Sequence, residues 1–263
     1  MTDQDKNVIL ERPTSEAAVA QHKDWFPSVL GSAGMIALFF FFQFLFSIAA
    51  IAVAVAMQAG GGGIGDAAAI ANDLSIIAMP TILALVAANV GILIALWFYL
   101  RRGDRSSVLG FNRWSKLSWW KTLLVGIGII AAGLGFNAIY VNYIFPDLEM
   151  QATMRALFEA IPDTVFNNAM LFLAVAVLAP ITEEFLFRGL LQNSLTKHMP
   201  AIAAILLSSA IFAAVHLQLT AFPALMVLGA GFGLIYHLTG SLRVNILLHV
   251  INNSAALLLA PPT

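Results

Sequence analysis

The chain has 263 residues, is 60% hydrophobic and only 10% charged, and carries a net charge of -1. A soluble globular protein has roughly 25% charged residues. That deficit, a mean hydropathy of +0.88 and apolar runs about twenty residues long make lipid the main solvent. The near-zero charge gives no footing for a nucleic-acid partner, and the lack of cysteine excludes disulfides, thiol catalysis and thiolate metal ligands.

Residues 1–28 are polar and charged and lack the basic start and apolar core of a secretory signal. They read as a disordered cytoplasmic tail. Seven apolar segments follow, at about 34–57, 76–100, 121–145, 165–197, 201–217, 221–237 and 242–259. The expected fold is therefore all-α, a polytopic transmembrane bundle of about seven spans. Its amino-terminal spans occupy 29–165 and its carboxyl-terminal spans 166–263. The glycine-rich stretch 60–65 reads as a linker, and Trp119 and Trp120 read as interfacial anchors. With the amino terminus in the cytoplasm, every Lys and Arg except Arg155 falls on a cytoplasmic segment or helix end. The positive-inside rule expects that asymmetry, which gives a cytoplasmic amino terminus. The expected location is the plasma membrane of a bacterium, a reading that the asymmetry itself does not supply.

Charged side chains at the bilayer centre cost about 2.5–3.5 kcal/mol each. The interiors of the first three spans have none, yet the last four contain Glu183, Glu184, Arg188, His216, His237 and His249. Such residues face one another or a wet cavity and mark function. Glu184 and Arg188 are four apart and share a helix face. Glu183 and Arg188 are five apart, about 140° around the helix. The ion pair is thus expected to use Glu184 and to leave Glu183 free, as a general base must be. Pro180 removes a backbone donor and is expected to orphan the Ala176 carbonyl, loosening the helix just before the carboxylates.

Glu183 and His216 lie at nearly equal distances from the turn near Pro200, so an antiparallel hairpin brings them to equal depth. His249 and Asn253 share a face of the last span. Counted from Gly240, His249 sits roughly 10 Å shallower than Glu183 on ideal helices, a gap that tilt or the Pro180 break must remove. Taken singly, these residues have plain structural readings: a buried ion pair, or histidine and asparagine as interhelical glue. Together they indicate a functional polar site. The pattern alone leaves a protease and a proton-coupled transporter both open, though the lack of repeated halves weighs against transport.

Other catalytic patterns are missing. There is no His-Glu-x-x-His zinc helix and no Gly-x-Ser-x-Gly elbow. Gly63-Ile64-Gly65-Asp66 spells an aspartyl-protease-like Gly-x-Gly-Asp, but no span holds the second aspartate of a dyad.

Three motifs in order, Glu183-Glu184-x-x-x-Arg188, Phe212-x-x-x-His216 and His249-x-x-x-Asn253, resemble the CPBP family of intramembrane proteases. These are the Abi or type II CAAX-prenyl endopeptidase-like proteins. The resemblance covers about 178–253. It implies a helical membrane fold with a cavity open to the cytosol, and hydrolysis of a peptide bond in a peptide or membrane-anchored protein. It implies that Glu183 and His216 activate a water, that His249 and Asn253 stabilise the oxyanion, and that Glu184 and Arg188 hold Glu183. Family members are often named metalloproteases, and zinc on Glu183, His216 and His249 is the alternative chemistry. The metal-free glutamate mechanism is the expectation preferred here. A non-catalytic immunity or scaffold protein on the same fold is the competing function.

Overall fold

The computed structural model describes residues 26–59, 73–101, 105–111, 114–144, 156, 159–218 and 221–258. The tail up to residue 25, the glycine-rich linker with Asp66, and Arg155 lie outside them. Among the described residues every regular element is helical. Five long helices are apolar enough to cross a membrane: α1 (Val29–Gln58), α2 (Leu74–Leu100), α4 (Trp119–Phe136), α5 (Val165–Thr196) and α7 (Phe222–Thr239). Two shorter apolar helices, α6 (Ala201–Val215) and α8 (Leu242–Leu258), complete the set. A single turn, α3 (Arg105–Val108), sits between α2 and α4. All seven expected segments are helices, and the chain is an integral membrane protein.

Local chemistry sets several ends. Asp73 caps α2 by accepting from the Ser75 amide at 2.9 Å, and Thr164 caps α5 by accepting from Asn167 at 3.1 Å. Gly240 closes α7 in the left-handed conformation, with φ 63°. The loop after α3 docks on this turn. Lys116 donates its backbone amide to the Thr239 carbonyl at 2.8 Å, and Leu242 donates to Gly110 at 3.3 Å. Gly110 also has positive φ, and a Cβ there would collide with the Gly240 carbonyl.

The core is a packed centre between α1, α2, α5, α6 and α7. Phe39, Ile92, Leu96, Leu186, Phe187, Leu190 and Phe212 meet there. A second cluster joins Ala78 and Ile82 of α2 to Ala174 of α5. A third packs Phe232 and Ile235 of α7 on Val244 and Leu248 of α8. Large side chains such as Phe44, Ile94, Trp97, Leu124 and Ile251 face outward, as lipid-facing positions do in a bundle whose solvent is hydrocarbon.

α5 is not a uniform α-helix. Two stretches, Leu173–Leu178 and Glu184–Gln192, are wound as π-helix, with α-helical turns around them. The Ala179 amide donates to the Ala174 carbonyl five residues back. In that register Pro180, which has no N–H, leaves Val175 rather than Ala176 without its helical donor. The expectation for Ala176 assumed α-helical spacing, and the wider turn moves the orphan by one residue.

Candidate active site

In α5, Glu183 ends the α-helical turn Ala179–Glu183 and Glu184 opens the π-wound stretch that follows, and α8 supplies their partners. Glu184 is completely buried and Arg188 is 1% exposed. Arg188 Nη1 lies 3.1 Å from Glu184 Oε1, the ion pair expected from their spacing. Arg188 Nη2 donates to the Gly229 carbonyl of α7 at 2.9 Å. Its guanidinium lies over the Phe212 ring, 4.8 Å from the centroid, and near Phe232 at 5.6 Å. Glycine at 229 allows this approach, because a Cβ there would press on the Phe212 ring at 3.2 Å.

His249 stands between the two glutamates. Its Nδ1 is 2.8 Å from Glu184 Oε1, and its Nε2 is 3.7 Å from Glu183 Oε2. A carboxylate already paired with Arg188 can only accept, so Nδ1 carries the proton. That leaves the Nε2 side of the ring facing Glu183. Phe232 stacks on the imidazole at 4.4 Å with an interplanar angle of 24°, which fixes the ring plane. Glu183 is half-buried, with its side chain 15% exposed.

The 10 Å depth gap counted for His249 is absent, for a visible reason. The count took the turns near Pro200 and Gly240 to lie at one level. Instead Leu242, two residues past Gly240, packs at Gly189 of α5, where a Cβ would meet its Cδ2 at 3.5 Å. Asn193 donates to the Tyr236 hydroxyl at 2.7 Å. The α7–α8 turn is thus sunk about two turns along α5, and His249 arrives at Glu183 and Glu184.

His216 is placed differently. α6 ends at Val215, and His216 is its C-cap. Its backbone amide bonds Ala213 at 3.3 Å, which leaves the Phe212 carbonyl without a helical donor. The His216 ring takes that carbonyl with Nδ1 at 2.7 Å. A carbonyl only accepts, so Nδ1 again carries a proton, and in the neutral ring Nε2 is the acceptor. Leu217 follows with φ 55°, a strained conformation for a side chain branched at Cγ that turns the chain away just after the imidazole. His216 joins the cluster through Phe212, whose ring lies 4.7 Å from it and 6.5 Å from His249. The imidazole against Glu183 is therefore that of His249.

Asn253 lies one turn beyond His249. Its Nδ2 donates to the Val175 carbonyl at 3.1 Å, the group orphaned by Pro180. It therefore ties α8 to the break in α5. His237, expected as glue or at the interface, is exposed near the end of α7.

Asn245 was missed by the motif reading. Fully buried, it donates from Nδ2 to Glu184 Oε2. The signal was available: Asn245, His249 and Asn253 recur at intervals of four along one face of α8. Removing the Asn245 amide strips one charge-assisted bond from a buried carboxylate. Asn245→Leu is expected to cost about 1.5–3 kcal/mol, read as a lowered Tm in detergent.

A zinc site on Glu183, His216 and His249 asks three donors to converge. Among the described residues, no group of three or more His, Asp or Glu side chains stands in such an arrangement.

A family model described as Rce1-like, type II CAAX prenyl endopeptidase Rce1-like, matches residues 165–255. This stretch is similar to that family. The resemblance read from the three motifs is thereby borne out, and the matched stretch contains every one of the motif residues. No curated protein and no solved structure matches the chain. The Rce1-like region runs from the start of α5 into the last turns of α8. It takes in both π-helical stretches of α5 and the whole of the Glu184 cluster.

Proposed function

We propose that this protein is an intramembrane endopeptidase that cleaves a membrane-associated peptide or protein with Glu183 as the general base. The observation that carries the reading is the division of labour between adjacent glutamates. Glu184 is consumed by Arg188, His249 and Asn245. Among the described residues Glu183 has only the Nε2 side of His249 beside it, which leaves its lone pairs for a water.

In this scheme Glu183 takes a proton from water as the water oxygen attacks the scissile carbonyl carbon. The carbonyl π pair moves onto oxygen. His249, anchored to Glu184 through Nδ1 and protonated at Nε2 from solvent before the attack, donates a hydrogen bond from Nε2 to that oxyanion and keeps its proton throughout. Asn253 spends one Nδ2 hydrogen on Val175 and has the other to offer. Collapse of the intermediate breaks the C–N bond. The proton from Glu183 goes to the departing nitrogen, giving an amine and a carboxylic acid. His216, in the tautomer whose Nε2 is the acceptor, takes a hydrogen bond from the water's second hydrogen, which stays on oxygen, and so orients the water for attack. Neither CAAX specificity nor prenyl recognition is required by these groups.

The test is cleavage of a pool of synthetic peptides of varied sequence by protein reconstituted in vesicles, read by mass spectrometry of new termini. Wild-type protein is expected to produce them. His216→Ala is expected to slow their appearance by about 10²-fold or more in a protein that still folds, its Tm lowered by a few degrees at most through loss of the Phe212 cap. A folded His216→Ala protein that cleaves at the normal rate removes His216 from the mechanism. A wild-type protein that cleaves nothing while its alanine variants keep biological activity favours an immunity or scaffold role.

A further inference from the structure

The region outside the Rce1-like match holds a polar group that the mechanism does not use. Asn89 of α2 is 0% exposed. Its Nδ2 donates to the Leu85 carbonyl at 2.9 Å. Only the NH₂ end can make that bond, so the orientation of the amide is fixed. Its Oδ1 has no hydrogen-bond partner among the described residues. Thr182, the neighbour of Glu183, is also 0% exposed, and its hydroxyl likewise lacks a partner.

The two lie at one level. Asn89 belongs to the buried stripe Ile82, Asn89, Ile92 and Leu96 of α2. Ile82 packs in one cluster with Ala174, and Ile92 and Leu96 pack in another with Leu186 and Leu190. Both pairings ascend in number, so α2 and α5 run parallel. Asn89 is seven residues past Ile82, and Thr182 is eight past Ala174. Between those clusters α2 packs directly against Ala179–Glu183.

We propose that Asn89 Oδ1 and the Thr182 hydroxyl share one internal water, which ties α2 to the turn of α5 that bears Glu183. A membrane interior offers no bulk solvent to satisfy either group, and buried waters typically occupy sites where several polar groups converge. The water donates to Asn89 Oδ1 and exchanges a hydrogen bond with Thr182 Oγ1. Pro180 has loosened the helix two residues earlier, so this turn needs an outside anchor. Asn89 is thus a positioning residue: it acts through Thr182 on the depth and rotation of Glu183. That last step rests on the hydrolase reading, whereas the tie itself does not.

The test is a double-mutant cycle on purified full-length protein in detergent. Asn89→Leu and Thr182→Val each leave one group of the tie stranded and are expected to lower Tm by roughly 2–6 °C. The double variant strands neither and is expected to melt above the lower of the two singles. The tie is overturned if either single leaves Tm unchanged or raises it, or if the double falls below the lower single. Cleavage of the best peptide of the pool, well below every Tm, reads the positioning. Asn89→Leu is expected to lower kcat about tenfold at constant KM, and Asn89→Leu with Thr182→Val does not restore it. An unchanged kcat overturns the positioning role while leaving the tie. Absence of cleavage by wild-type protein overturns the hydrolase reading and the positioning role with it, and the melting cycle still decides the tie.

Discussion

Glu183→Gln is expected to reduce peptide cleavage by about 10²–10⁴-fold while the protein folds and melts as wild type. The substitution keeps size and shape and removes only the ability to hold a proton taken from water. Folding should not notice. Among the described residues Glu183 makes no short bond in the cluster, His249 Nε2 standing 3.7 Å from it, and the buried ion pair belongs to Glu184. The contrast with its neighbour makes the prediction sharp: Glu184→Gln weakens three interactions at once, those to Arg188, His249 and Asn245. Loss of fold should therefore follow substitution at 184, and loss of chemistry alone substitution at 183. Cleavage rates and melting curves on the same preparations check this. A Glu183→Gln protein that cleaves within a few-fold of wild type would remove Glu183 as the base.

Sequence reasoning reached most of the bundle because lipid leaves so few ways to satisfy a backbone. Each apolar run of span length had to be a helix, and α1, α2, α4, α5 and α7 are. The Glu184–Arg188 pair was legible because residues four apart stay close to one face in the wider π-turn as they do in the α-turn. What escaped depends on how helices sit against one another. The α7–α8 turn was taken to lie level with Pro200. Only the packing of Leu242 at Gly189 shows that it is sunk, and that His249 is therefore the imidazole against Glu183. The orphaned carbonyl was assigned to Ala176 because periodicity presumes α-helix. The π-wound stretch before Pro180 passes it to Val175, where Asn253 answers it. Asn245 escaped because the spacing of four was followed from His249 forward to Asn253 and not backward. The helix end at His216 also escaped, since Val215 and Leu217 give no breaker signal. The cap appears only in the ring's bond to Phe212.

Arg188→Met is expected to be the most damaging single substitution in the site. It removes the cation from a carboxylate with no solvent access and leaves Glu184 with only His249 and Asn245. Breaking one side of a buried pair costs about 3–5 kcal/mol, which for a chain of this size lowers Tm by roughly 6–20 °C. Methionine fills much of the same volume against Phe212 and Phe232, so lost packing contributes little. The loss should come from the stranded charge, and that origin can be tested. Glu184→Gln combined with Arg188→Met removes both charges, and the glutamine oxygen can still accept from His249 Nδ1. The double variant should recover most of the lost stability. Its cleavage should fall below wild type, because His249 and Glu183 lose their electrostatic frame, yet remain above that of Glu183→Gln, because the base is still present. A double variant no more stable than Arg188→Met would mean that Arg188 acts through its bond to Gly229 and its rings, and not through Glu184.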